Sequence, residues 1–159
     1  MKTAIVYYSL SGNTKYAAEK MAQALEADLI PLVTKKTYPD SGFKKFFWGG
    51  KSALMGEKPM LEPYTFQADA YDCVILGTPV WAGTIAPPLR TFIADHQITL
   101  QGKRLAVFAC CSGGPGKVME KARKALDVDT LAAELILIDP KDKPSPENET
   151  KIAAFCDKL

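Results

Sequence analysis

Ser9, Ser11, Asn13 and Thr14 follow the apolar run Ala4-Ile5-Val6 and precede residues that recur at helical spacing. Hydroxyl and amide donors at such a place suit the holding of an anion. The first backbone N–H groups of a helix have no intrahelical partner and point outward at the positive end of the helix dipole. Gly12 lets the backbone approach a ligand closely or turn with positive φ. Residues 9–14, with Leu10 as their apolar member, therefore read as a phosphate cradle. The same residue types also make ordinary turns and caps. The loop has neither the Gly-Lys-Ser/Thr ending of a triphosphatase loop nor the Gly-x-Gly-x-x-Gly of a dinucleotide fold.

Two later loops favour the ligand reading. Gly77-Thr78-Pro79-Val80-Trp81-Ala82-Gly83-Thr84 follows one apolar run, and Cys111-Ser112-Gly113-Gly114-Pro115-Gly116 follows another. The second loop sets Trp81 among small and Pro or Gly residues, and the third is mostly backbone. A ligand with a phosphate at one end and a flat ring at the other matches all three. Trp81 offers the ring a stacking face, and the backbone of loops two and three offers groups for its polar edge.

The elements that must position these loops follow from hydrophobic periodicity. Apolar runs mark strands over 2–8, 29–33, 71–76, 105–110 and 135–138. Pro31 makes the second of these an edge or a short strand. Ala17, Met21, Ala24 and Leu25 share one face of a first helix. Leu89, Phe92, Ile93 and His96 share a face of another, with Pro87 and Pro88 confined to its first turn. His96 then falls near the helix end, where positive charge is favoured, and carries no catalytic role. Val118, Ala122, Ala125 and Leu126 mark a third helix; Ile152, Phe155, Cys156 and Leu159 mark the last.

Residues 34–70 are less regular, with turns at 38–42 and 62–64. Phe43, Phe46, Phe47 and Leu54 suggest a helix packing aromatic residues, weakened at Gly49-Gly50. Trp48 on it reads as core or lid packing rather than ligand stacking. Residues 139–147 read as an exposed loop. Strands alternating with helices imply a doubly wound α/β fold, a five-stranded parallel sheet with helices on both faces. Ligands of such sheets bind beyond the carboxyl ends of the strands, the edge all three loops occupy.

Composition narrows the function. A chain of 159 residues fits a single domain, 1–159, large enough to bury a core. No stretch reads as a secretory signal or a membrane span, so a cytoplasmic location is expected. The four cysteines show neither metal spacing nor a disulfide framework. The vicinal pair Cys110-Cys111 reads as strand-end packing rather than a redox switch. A net charge of +2 argues against a nucleic-acid partner. The stretch 35–58 has six lysines against Asp40 and Glu57, which reads as a solvated surface, with a docking face for an acidic partner as the alternative.

The three loops together resemble those of the flavodoxin family over nearly the whole chain. Tyr7-Tyr8-Ser9-Leu10-Ser11-Gly12-Asn13-Thr14 looks like the family's phosphate loop, residues 77–84 like its first ring-flanking loop, and Ser112-Gly113-Gly114 like part of its second. The resemblance implies strand order 2-1-3-4-5 and non-covalent FMN. Ser9, Ser11, Asn13 and Thr14 would meet the phosphate, and Trp81 would lie beside the isoalloxazine ring. The backbone around Ala82-Gly83 would lie near the flavin N5. Loop three has Cys111 and Ser112 where an aromatic residue often covers the other ring face. The chain is slightly basic, whereas carrier flavodoxins are usually strongly acidic, and it has no room for the loop that splits the fifth strand of long flavodoxins.

The implied function is a low-potential electron carrier, a monomer or weak dimer serving a redox partner protein or a small-molecule acceptor. The alternatives are an NAD(P)H-dependent reductase of a quinone or other small acceptor, and a flavin-free interaction module.

Overall fold

A computed structural model describes residues 1–39 and 42–159, the side chains of 42–47 excepted. Strand β1 (Thr3–Tyr7) is buried throughout and feeds helix α1 (Asn13–Leu25) through the first loop. β2 (Asp28–Pro31) follows, then α2 (Gly42–Leu54) and β3 (Cys73–Trp81). β4 (Thr84–Ile85) leads into α3 (Pro87–Leu100), β5 (Arg104–Cys111), α4 (Val118–Leu126), β6 (Ala133–Ile138) and α5 (Pro146–Cys156).

The sheet runs β2-β1-β3-β5-β6, with β4 paired only to β3. In register, Ile5 lies opposite Leu29 on one side and Ile75 on the other, and every pairing along that path is parallel. Counting the parallel strands alone, this is the expected 2-1-3-4-5. The central strand carries apolar residues on both faces, as a strand covered by helices on each side must. Val74 and Leu76 face one core with Leu89 and Phe92; Ile75 faces the other with Met21, Phe108 and Phe155.

Several local expectations change. The second loop is not a loop at its start: β3 runs on to Trp81 and turns back antiparallel, with Val80 opposite Ile85 and Trp81 opposite Thr84. The two turn residues, Ala82 and Gly83, have φ of 50° and 70°. Two successive positive φ values give the twist that matches a tight hairpin. On α1, Ala24 is exposed and Ala18 is buried instead. α2 is continuous through Gly49-Gly50, and its Leu54 is exposed. The side chains of Phe43, Phe46 and Phe47 and the 40–41 part of the expected turn lie outside what the structure describes.

His96 lies within α3 rather than at its end. Its ring packs against Phe66 and Phe92 and its Nε2 meets Tyr64 Oη at 2.9 Å, so burial lowers its pKa instead of favouring charge. The loop after β6 was expected to be exposed, yet Asp139 at its start is buried.

Candidate functional site

The first loops of the sheet's carboxyl edge meet in one cleft. The turn before α1 contributes Leu10, Ser11, Asn13 and Thr14; the hairpin contributes Pro79, Val80, Trp81 and Ala82; the third loop contributes Cys111, Ser112, Gly113 and Gly114. Ser9, Gly12, Thr78, Gly83 and Thr84 do not line it. Each of these has another task.

Ser9 Oγ accepts a hydrogen bond from Lys15 N at 3.2 Å, which satisfies one of the unpaired amides of the α1 start. Gly12 has φ 98°, a left-handed conformation that a side chain resists. Among the described residues, the backbone N–H groups of Ser11, Gly12, Asn13 and Thr14 donate no hydrogen bond. Four consecutive free amides at a helix start form a concave donor set for an anion.

The Asn13 side chain is buried, and its shorter hydrogen bonds go to the loop after β6 rather than to the turn. Its Oδ1 accepts from the N–H groups of Lys141 and Asp142 at 2.9 and 3.3 Å, and its Nδ2 donates to Asp142 Oδ2 at 2.8 Å. Asn13 therefore clasps the loop after β6 onto the turn. Thr14 is also buried, with its hydroxyl against the Cys110 thiol.

Trp81 is held from three sides. Tyr8 and Tyr38 meet its ring edge-on at centroid distances of 5.7 and 5.0 Å. α2 crosses it at Gly49, where a Cβ would fall 3.2 Å from Trp81 Cε3. The absence of a side chain at 49 is what lets the helix approach, and Gly50 then lines the cleft. Thr78 is buried beneath the hairpin; its Oγ1 accepts from Ala86 N at 2.9 Å and donates to Pro79 O at 2.8 Å. Arg90 braces the outer side, donating to Thr84 Oγ1 and to Ala53 O at 2.9 and 2.8 Å.

On the third loop Ser112, Gly113 and Gly114 are exposed. No aromatic side chain lines this part of the cleft among the described residues. The floor is made by Cys110, Cys111 and Asp139. Burial pushes the Cys110 thiol up to about 12 and raises Cys111 as well, so both stay protonated near neutrality. Asp139 takes a hydrogen bond from Ser112 Oγ at 2.6 Å and pairs with Lys143 Nζ at 3.0 Å. Chiefly through the Ser112 bond, its carboxyl is held below the usual value.

The loop after β6 is the part of the site that sequence reasoning missed. Asp139 faces the cleft and Lys141 lies over Gly12. The rule that ligands gather beyond carboxyl strand ends applies to the last strand as much as to the first, third and fourth, and would have flagged it. Nothing in its Pro, Lys and Asp composition distinguishes it from a solvated loop.

A family model described as flavodoxin matches residues 2–141. Among solved structures, the chain superposes on a flavoprotein from Lactobacillus acidophilus in complex with FMN with a TM-score of 0.76 at 21% identity, covering 97% of both chains. A candidate flavoprotein from Bacteroides eggerthii gives 0.75 at 25% identity, with 98% of this chain and 96% of that one covered. The two-electron reduced flavodoxin of Megasphaera elsdenii gives 0.61 at 18% identity, with 98% and 99% covered.

Proposed function

Because the chain belongs to the flavodoxin family, we propose that it binds FMN non-covalently and carries electrons between redox partners. The observation that carries this reading is the cleft itself. It joins the free amides at the α1 start to a cleft lined by Trp81 and by residues 112–114.

The residues present fit the cofactor. The turn 9–14 has no acidic side chain to repel a phosphate, its free donors are backbone groups, and Gly12 adds no bulk to the cradle. Trp81 supplies an aromatic wall with its orientation set by Tyr8, Tyr38 and α2. Bound FMN supplies reversible electron uptake at its ring, chemistry that no side chain of the cleft offers. The chain's own part is to bind, orient and set the electrostatics. The amides of 11–14 would hold the phosphate, and Trp81 would shield the ring from water on its side of the cleft. Ala82 offers backbone polar groups at the ring edge, and Asp139 adds a fixed negative charge to the floor. The protonated thiols of Cys110 and Cys111 act as packing rather than as nucleophiles.

The visible spectrum of the freshly purified protein tests this, followed by titration of the stripped protein with FMN and riboflavin. Flavin absorption with a strong preference for FMN is the expected result; failure to bind either flavin overturns it. One observation favours a reductase as the second reading: the slot is uncovered at Ser112, Gly113 and Gly114, which admits a small acceptor. Steady-state oxidation of NAD(P)H by the loaded protein separates it from a carrier.

Among the described residues no helix is long and apolar enough to cross a membrane. The four cysteines are free, which supports a reducing compartment such as the cytoplasm. A single domain working as a monomer or weak dimer suits a carrier that must expose its cleft to partners.

A further inference from the structure

From the loop after β6 we infer that Lys141 is a phosphate-selecting residue, an ammonium placed over the cradle to discriminate a doubly charged ligand terminus from a neutral one. The inference rests on the proposed reading of the cleft and adds a charge to a cradle otherwise made of neutral donors.

Two independent features place the lysine. First, a Cβ built on Gly12 would lie 3.0 Å from Lys141 Cε, 3.3 Å from Cδ and 3.6 Å from Nζ, so the side chain lies along the bare backbone of the turn. Second, Asn13 fixes the backbone beneath it, since the Lys141 N–H is bound by Asn13 Oδ1 at 2.9 Å and Asp142 is bound to the same side chain at both its N–H and its carboxylate. The residue that sequence reading assigned to the phosphate thus serves it indirectly, by docking the loop that brings a cation.

The charge is partly held in check. Lys141 Nζ pairs with Asp142 Oδ1 at 2.8 Å, with both side chains about half exposed. An ammonium has three donors, and this contact engages one of them. Its stem lies against Gly12, one of the residues whose free amides make up the set 11–14, so an anion held by that set would be shared between the helix start and the lysine. A neutral ligand terminus gains nothing from the ammonium.

The test is a titration of the stripped protein with FMN and with riboflavin, for the wild type, Lys141→Met, Lys141→Arg and Asp142→Asn. Met keeps the methylene stem over Gly12, so the turn keeps its packing. Lys141→Met is expected to weaken FMN binding about tenfold, the scale of one charge-assisted contact at a half-exposed site. Riboflavin binding stays unchanged and the salt dependence of FMN binding becomes shallower. Lys141→Arg restores the preference, and Asp142→Asn, by freeing the ammonium, strengthens it. A wild type that prefers FMN and a Lys141→Met variant with the same preference overturn the role of Lys141 alone. A wild type that binds neither flavin overturns the cofactor reading. The lysine is then tested on the flavin-free protein by melting with inorganic phosphate. A phosphate-dependent rise in Tm that Lys141→Met abolishes supports its role, and no rise in the wild type overturns it.

Discussion

Ser112 and Asp139 join the third loop to the loop after β6: Ser112 Oγ donates to Asp139 Oδ1 at 2.6 Å while Lys143 holds Oδ2 of the same carboxylate at 3.0 Å. A buried carboxylate is tolerated because both oxygens have partners.

Asp139 links that contact to pH. Its folded-state pKa lies below the ordinary 3.8, so the stabilisation it contributes is present above that value and is lost as pH falls through the folded-state pKa. Asp139→Asn should destabilise the protein by about 1–3 kcal/mol at pH 7 and by less at pH 3. Urea unfolding at the two pH values reads this. In the FMN-loaded protein the same substitution removes a negative charge from the cleft floor. The midpoint potential should move to more positive values, by tens of millivolts, the scale of one unit charge acting at an effective ε of about 20.

Trp81 and Gly49 should behave as one unit. Trp81→Ala removes two edge-on aromatic contacts, each worth about 0.5–1.5 kcal/mol beyond area burial, together with the wall of the ring slot. Stability and FMN affinity should fall together. Gly49→Val places atoms where Trp81 Cε3 already lies at 3.2 Å from a Cβ; it should lower FMN affinity without touching any residue of the phosphate turn. Equal FMN affinity in both variants and wild type would remove Trp81 from the site.

The hairpin stores a small strain. Ala82 holds φ 50°, a conformation that costs a residue with a Cβ about 1–2 kcal/mol. Ala82→Asn makes the turn Asn-Gly, the pair this geometry prefers. The variant should be more stable by up to about 1 kcal/mol in denaturant unfolding. An unchanged or lower midpoint would show that the surrounding contacts, not the turn, set its conformation.

His96 acts in the same direction as Asp139 but at higher pH. Burial lowers its pKa from 6.5, so the unfolded chain binds a proton before the folded one does. Stability is therefore full above about pH 6.5 and declines as pH drops below it. His96→Phe should flatten that decline between pH 7 and 5. The readout is the pH dependence of Tm for both proteins.

The parallel sheet was legible because the central strands are continuous in apolar residues and the helices keep their period, and its order was implied by the resemblance of the three loops to a known family. That the turn before α1 and the Trp81 segment lie together at the carboxyl edge of the sheet was legible from their places after apolar runs. What could not be read was pairing across loops. Asn13 looked like a ligand donor because its amide is a good one. In the structure that amide is bound to a loop more than a hundred residues away, and no local pattern records that. The hairpin was hidden by Pro79 and Gly83, which read as loop residues, although Pro79 lies within β3 and Gly83 forms the turn. Leu54 was misread because helical period names a face without saying whether anything covers it. Its exposure beside an otherwise buried Ala53 shows the last turn of α2 left open.

Gly83 and Gly116 touch backbone to backbone. A Cβ on Gly116 would stand 2.5 Å from Gly83 Cα, and Gly83 O accepts from Lys117 N at 3.0 Å. The hairpin and the third loop therefore share a wall with no side chain in it. For sequence drift this makes one position answer to another far away in the chain. A side chain gained at Gly116 would collide with the hairpin backbone, whereas one gained at Gly83 would meet only its own positive φ.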